Sequence, residues 1–302
     1  MEKRGFSKEF SSVVTACSAM ITPLIPPGIA MIVYGSIANV SIGNLFIAGI
    51  GPGLLLCVTM MLLVSIISHK RNYKPLRTER MKASDFMRAL KEAALPLCLP
   101  IIIIGGIRLG IFTPTEAGTV AIVYSLLLGV IYHELTMDSF IKGMKETIIT
   151  TSGIMLIICA SIAFGKFLTW ERIPMIISEA ILAICHTDWQ FLLLVNILLA
   201  IVGMFFEGGA AMILLAPLLV PAAQSLDVNL IHFGIVMAIN LTLAGVTPPF
   251  GAMMFVSTSI TGCTFSGYCR EVWPWIIMLF AVLLIFTYVP GIILFVPNLL
   301  MG

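Results

Sequence analysis

Two apolar stretches carry the residue types best suited to hold an ion without a charged side chain. The first reads SSVVTACSAMITPLIPPGIAMIVYGSI, with Pro23, Pro26, Pro27 and Gly28 at its centre. The second reads IHFGIVMAINLTLAGVTPPFGAMMFVSTSI, with Gly245, Pro248, Pro249 and Gly251. A proline inside a helix removes an amide donor and clashes with the preceding turn, at a cost of about 3 kcal/mol or more. Glycine beside it loosens the backbone further. Paired prolines next to glycine are therefore expected to unwind a helix, not merely kink it. The freed carbonyl oxygens suit a hard cation, and the amides where the helix restarts suit an anion. Thr22 and Thr247 lie close by. Thr247 has two readings: its hydroxyl joins a cation site, or it bonds back to the preceding turn. A tolerated proline kink explains one such break well; two matched breaks favour a site.

A third element lies just before the second broken segment. In LLLVNILLAIVGMFFEGGAAMILLAPLLVPAAQSLD the apolar run reaches Phe206, turns through Glu207, Gly208 and Gly209, and continues apolar to Pro221. Each limb reads as shorter than a full crossing, so a re-entrant helical hairpin is expected. Glu207 at its tip is either a functional intramembrane acid or a helix cap at a watery interface.

These segments need a membrane around them. Of the 302 residues, 59% are hydrophobic and 11% charged, against roughly 25% charged in soluble domains. The excess apolar surface has to face lipid, where only structures that satisfy their own backbone survive. Spanning helices are expected over Leu45–Ile67, Ala93–Leu109, Thr119–Tyr132, Thr147–Leu168 and Val272–Leu294, with Met175–Cys185 as an interfacial helix. The expected organisation is one polytopic all-α membrane domain over 1–302. It comprises the first broken helix in 1–44, spanning helices in 45–186, the hairpin and second broken helix in 187–270, and a last span in 271–302.

The basic loop 69–92 holds Lys70, Arg71, Lys74, Arg77, Arg80, Lys82, Arg88 and Lys91 against Glu79, Asp85 and Glu92. Such loops stay cytoplasmic, which puts the C-terminal end of the chain on the opposite side. A net charge of +2 gives no reason to expect nucleic acid. The seven cysteines are scattered without metal-ligand spacing, and no His, Asp, Glu or Ser–Lys cluster points to an enzyme.

The breaks align as a repeat. At an offset of 222, Pro26 meets Pro248, Pro27 meets Pro249, Ala30 meets Ala252 and Met31 meets Met253. An odd number of crossings between them inverts the second copy, the arrangement by which many secondary transporters build a midplane site.

The pieces TPLIPPGIAMIVYG, GIFTPTEAGTVA, GMFFEGGAAMILLAPLLVPAA and HFGIVMAINLTLAGVTPPFG, in this order and spacing, resemble the large membrane subunit of tripartite ATP-independent periplasmic (TRAP) transporters, the DctM-like family. The resemblance runs the length of the chain. It implies an ion-transporter-superfamily fold with inverted repeats, moving like an elevator in the bacterial inner membrane. It also implies sodium-driven import of a carboxylate-bearing solute, with no other cofactor. A periplasmic substrate-binding protein and a small four-helix membrane subunit are the implied partners.

Carried over, one sodium site falls on Gly245, Val246, Thr247 and Pro248 with the tip at Phe206, Glu207 and Gly208. The other falls on Ser18, Thr22, Pro23 and Pro26. The sequence departs from the family pattern at Ala19, Met20, Thr22, Gly208 and Ala216. The family's first hairpin is expected ahead of Met1, so the chain corresponds to the C-terminal two-thirds of a subunit with one complete sodium site. Two alternatives stand beside this: an inactive truncated remnant, or a carboxylate transporter of the same superfamily that needs no binding protein.

Overall fold

The computed structural model describes residue 1 and residues 5–73 and 83–301; the basic stretch 74–82 and Gly302 lie outside the described residues. The described chain is helical, with no strand. It divides into two compact units, one of residues 1–73 and 161–302 and one of residues 74–160.

The smaller unit holds α4 (Ala83–Arg108), α5 (Pro114–Ile131) and most of α6 (Met137–Trp170). The GIFTPTEAG stretch is the start of α5. Thr113 accepts from the Glu116 amide, the Glu116 carboxylate accepts from the Thr113 amide at 2.7 Å, and Pro114 opens the first turn. This capping box satisfies donors that the helix itself cannot.

The larger unit holds α1 (Lys8–Ala19), α2 (Ile29–Ala38), α3 (Ile42–Lys70), α7 (Ile173–Ile184), α8 (Asp188–Phe205), α9 (Gly208–Ser225), α10 (Leu230–Ala244), α11 (Ala252–Thr261), α12 (Phe265–Tyr288) and α13 (Pro290–Met301). Among the described residues, α3, α4, α5, α6, α8, α9 and α12 are long and apolar enough to cross a bilayer. The expected spans in 45–67, 93–109, 119–132 and 147–168 each fall on one of these helices. The expected Val272–Leu294 span does not hold as one helix. It ends at Tyr288 and α13 begins at Pro290, because a residue before proline is pushed out of the α region.

The hairpin limbs α8 and α9 are 18 residues each, about 27 Å at 1.5 Å per residue. They are thus longer than expected, and length alone does not separate a re-entrant limb from a crossing.

Both paired-proline segments unwind. Helix stops at Ala19 and resumes at Ile29; it stops at Ala244 and resumes at Ala252. Isolated prolines at 52, 96, 100, 217, 221, 274 and 297 stay inside helices, so it is the pair with glycine that breaks the helix. The Pro26–Pro27 and Pro248–Pro249 bonds are both cis.

Beyond the breaks the two copies keep the same local plan. Each has a 10-residue half-helix, a left-handed cap at Asn39 or Gly262, and a hydroxyl N-cap at Ser41 or Thr264 opening a long helix. These equivalences run at an offset of 223, since Phe250 stands as one extra residue between Pro249 and Gly251. The identities at Ala30 and Ala252, and at Met31 and Met253, are therefore one position out of helical register.

The copies are inverted. Ser12 on α1 donates to Ser257 on α11 at 3.1 Å, while the Tyr34 hydroxyl of α2 reaches the Leu230 carbonyl at the start of α10 at 2.8 Å. A Cβ on Gly267, just past α11, would lie 2.9 Å from the Glu9 side chain at the start of α1. α1 and α11 thus lie antiparallel, and α2 packs on the start of α10.

Candidate functional site

The second break follows directly on a buried helix. Val246 and Thr247 are buried, and α10 behind them is buried almost all round, as a central helix must be. Asn229 opens α10 by accepting from the amides of Ile231 and His232 at 3.0 and 3.1 Å. At the other end Gly245 caps it, and the chain turns through Val246 and Thr247 into the prolines.

The oxygens at the break are partly engaged. The Gly245 carbonyl accepts from the Met253 amide at 3.0 Å, and the Val246 carbonyl accepts from the Tyr268 hydroxyl at 3.1 Å. The Thr247 carbonyl accepts no hydrogen bond among the described residues. The Thr247 hydroxyl donates to the Leu243 carbonyl at 3.0 Å, the back-bonding geometry that is the plain alternative for this residue. Its lone pairs stay free to accept, because a hydroxyl is one donor and two acceptors. Two carbonyls with a second lone pair, one with both, and a hydroxyl make an all-oxygen set. That chemistry fits a hard monovalent cation.

The hairpin tip reaches this break. A Cβ on Gly208 would lie 3.7 Å from Leu241 Cβ and 3.8 Å from the Leu241 carbonyl oxygen, one turn before Gly245. The rings of Phe205 and Phe250 sit 5.4 Å apart, centre to centre. Phe206 is exposed beside them. Glu207 caps α9: its carboxylate accepts from the Ala210 amide at 2.9 Å. The geometry therefore gives the cap role to Glu207, and brings Gly208 and the Phe205–Phe206 corner to the break.

The first break gathers Ser18, Thr22, Pro23 and Pro26 within one turn region at the end of α1. Ser18 is exposed and donates to the Val14 carbonyl at 2.6 Å; Thr22 is exposed and its amide bonds the Ala19 carbonyl at 3.2 Å. Pro26 is buried. Gly28 closes this loop against the Pro23 carbonyl, and Gly251 closes the second against the Gly245 carbonyl. Neither half-helix that restarts there has a side-chain cap on its first amides. Among the described residues no His, Cys, Asp and Glu group could hold a metal ion.

Sequence reasoning passed over a buried polar chain below the tip: Asn240, Asn196 and Thr287 hydrogen-bond across three helices. The signal was present, because each asparagine interrupts an apolar run, and polar residues inside membrane helices mark interhelical contacts.

Paired broken helices in inverted copies, with a helical hairpin docked on one break, define a polytopic all-α integral membrane protein of the secondary-transporter kind. Residues 1–292 match the family described as tripartite ATP-independent periplasmic transporter, DctM component, and the chain belongs to that family.

The chain is 38% identical over 303 residues to the sialic acid TRAP transporter large permease protein SiaM of Vibrio cholerae, covering all of this chain and 70% of that protein. It is 35% identical over 299 residues to the C4-dicarboxylate TRAP transporter large permease protein DctM of Pseudomonas aeruginosa, covering 99% and 70%. It is 38% identical over 297 residues to the isethionate TRAP transporter permease protein DctMQ of Oleidesulfovibrio alaskensis, covering 98% of this chain and 46% of that protein. These relatives are transport permeases, not enzymes.

Proposed function

We propose that these 302 residues form the ion-coupled core of a TRAP large permease, importing a carboxylate-bearing small solute with sodium by an elevator movement in the bacterial inner membrane. A small four-helix membrane subunit and a periplasmic substrate-binding protein complete the system. The observation that carries this reading is the docking of the hairpin tip on the Gly245–Pro248 break, where Gly208 lies against Leu241 and the carbonyls of Gly245 and Thr247 both line the turn closed by Gly251. Unwound backbone at membrane depth persists only where protein buries it or a wet cavity takes it up, and carbonyls released this way coordinate coupling ions in secondary transporters. The relatives are named for sialic acid, C4-dicarboxylates and isethionate, which supports an organic anion as the solute.

The test is uptake by proteoliposomes that contain the permease carrying this sequence together with its membrane partner and binding protein. Radiolabelled organic acids accumulate under an inward sodium gradient and not when potassium replaces sodium. Accumulation that ignores sodium overturns the coupling. Accumulation without the binding protein assigns the chain to the other branch of the superfamily.

A further inference from the structure

Helix α8 does more than lead to the tip. It runs parallel to α10 and in step with it along their whole length. Phe191 meets Phe233 with ring centres 5.6 Å apart. Asn196 meets Asn240, a Cβ on Gly203 would lie 2.6 Å from Ala244 Cβ, and Phe205 meets Phe250.

Midway along this seam, Asn240 Nδ2 donates to both the Asn196 carbonyl and Asn196 Oδ1, at 3.0 and 2.8 Å. Asn196 Nδ2 donates onward to the Thr287 hydroxyl at 2.9 Å, which donates to the Leu283 carbonyl at 2.8 Å. Asn240 and Thr287 are fully buried and Asn196 nearly so. His232 Nε2 and the Phe286 carbonyl, 2.9 Å apart, tie α10 to α12 a second time. The Tyr288 hydroxyl reaches the Trp189 carbonyl at 3.3 Å, tying α12 to α8.

Asn240 Oδ1 already lacks a partner among the described residues. Lifting α8 off α10 would strip Asn240 Nδ2 of both its acceptors and Asn196 Oδ1 of its donor, and lifting it off α12 as well would free Asn196 Nδ2. In a low-dielectric interior such losses are costly and the bonds reinforce one another.

We propose that Asn240, acting through Asn196, is the positioning residue that keeps the hairpin tip on the break. The Asn240–Asn196–Thr287 seam holds α8 on α10 in every state of the cycle, so the first arm of the hairpin travels with the broken helix and is not the gate. This rests on the transport reading for its purpose, but the seam is testable without any transport.

The experiment is disulfide trapping of the pair Phe205→Cys and Phe250→Cys, two exposed positions at the tip. The full permease is held in nanodiscs, with mass spectrometry identifying the linked peptide among the native cysteines. With Asn240 intact, linkage is fast and equal in sodium, in potassium and with a candidate organic acid present. In an Asn240→Leu background, linkage slows several-fold, and Thr287→Val slows it by less while leaving the asparagine pair in place. Linkage that falls when sodium or solute is exchanged, or that ignores both Asn240→Leu and Thr287→Val, overturns the proposal. If Asn240→Leu fails to give a monodisperse protein, the Thr287→Val result alone decides. Failure of the transport reading would show separately, as no sodium-driven uptake with linkage unchanged.

Discussion

Tyr268 donates its hydroxyl to the Val246 carbonyl at 3.1 Å, so a buried side chain of α12 fastens the break of the second copy. The bond uses one lone pair of a carbonyl that has two. It holds the oxygen in place while leaving it able to meet an ion.

Thr247→Val keeps the side-chain shape and deletes its oxygen. Sodium activation of uptake is expected to shift to several-fold higher sodium, with near-normal expression. Gly245→Ala puts a Cβ 3.2 Å from the Thr242 carbonyl and is expected to weaken sodium activation as well. Titrating sodium against initial uptake rate measures both. Unchanged curves in both variants would mean that the break is only structural and that the Leu243 back-bond is all Thr247 does.

Glu207 is expected to behave as a cap. Glu207→Gln keeps an acceptor for the Ala210 amide and should leave thermal stability in detergent close to that of the parent. Glu207→Ala removes the acceptor and should cost about 1 kcal/mol, the usual worth of a helix N-cap. Equal melting of the Ala and Gln variants argues against the cap.

Gly28→Ala drives a Cβ into the Pro23 carbonyl, which is backbone and cannot rotate away. The first break must then shift, at a cost of about 1–3 kcal/mol for overpacking. A melting temperature lowered by several degrees is expected, and one unchanged from the parent counts against the loop geometry.

Reporter fusions at Thr78 and Gly302 should report opposite sides of the membrane, with Thr78 cytoplasmic, as the basic stretch 69–92 requires; it is shorter as a loop than expected, because Lys70 ends α3 and Arg88 and Lys91 lie on α4. Both reporters on one side would remove the inverted-repeat topology together with the loop assignment.

The breaks were readable because residue type alone decides them: a proline pair with glycine cannot be carried by a helix, whereas Pro52 or Pro274 alone can. The hairpin was readable from the Glu207-Gly208-Gly209 turn between two apolar limbs. Other features depend on geometry that one-dimensional pattern does not carry. The repeat offset was legible at the prolines but slipped by one beyond them, because loop length at Phe250 is set in three dimensions. Asn196 and Asn240 are polar letters in apolar runs that went unremarked in the sequence, and their pairing follows from the parallel register of α8 and α10. The cap at Glu207 depends on where the Ala210 amide lies, 2.9 Å away, and not on residue type alone.

The parallel run of α8 and α10 has an electrostatic consequence. It brings two helix C-termini to the same place, each carrying the equivalent of about half a negative charge. The N-termini of α9 and α11 start there and supply the opposite halves, so the four helix ends cancel. The Glu207 carboxylate sits at the same tip, accepting from the Ala210 amide at the start of α9. The net helix-dipole charge at the tip is therefore close to zero, and any attraction of a cation there would come from the break oxygens and not from helix direction.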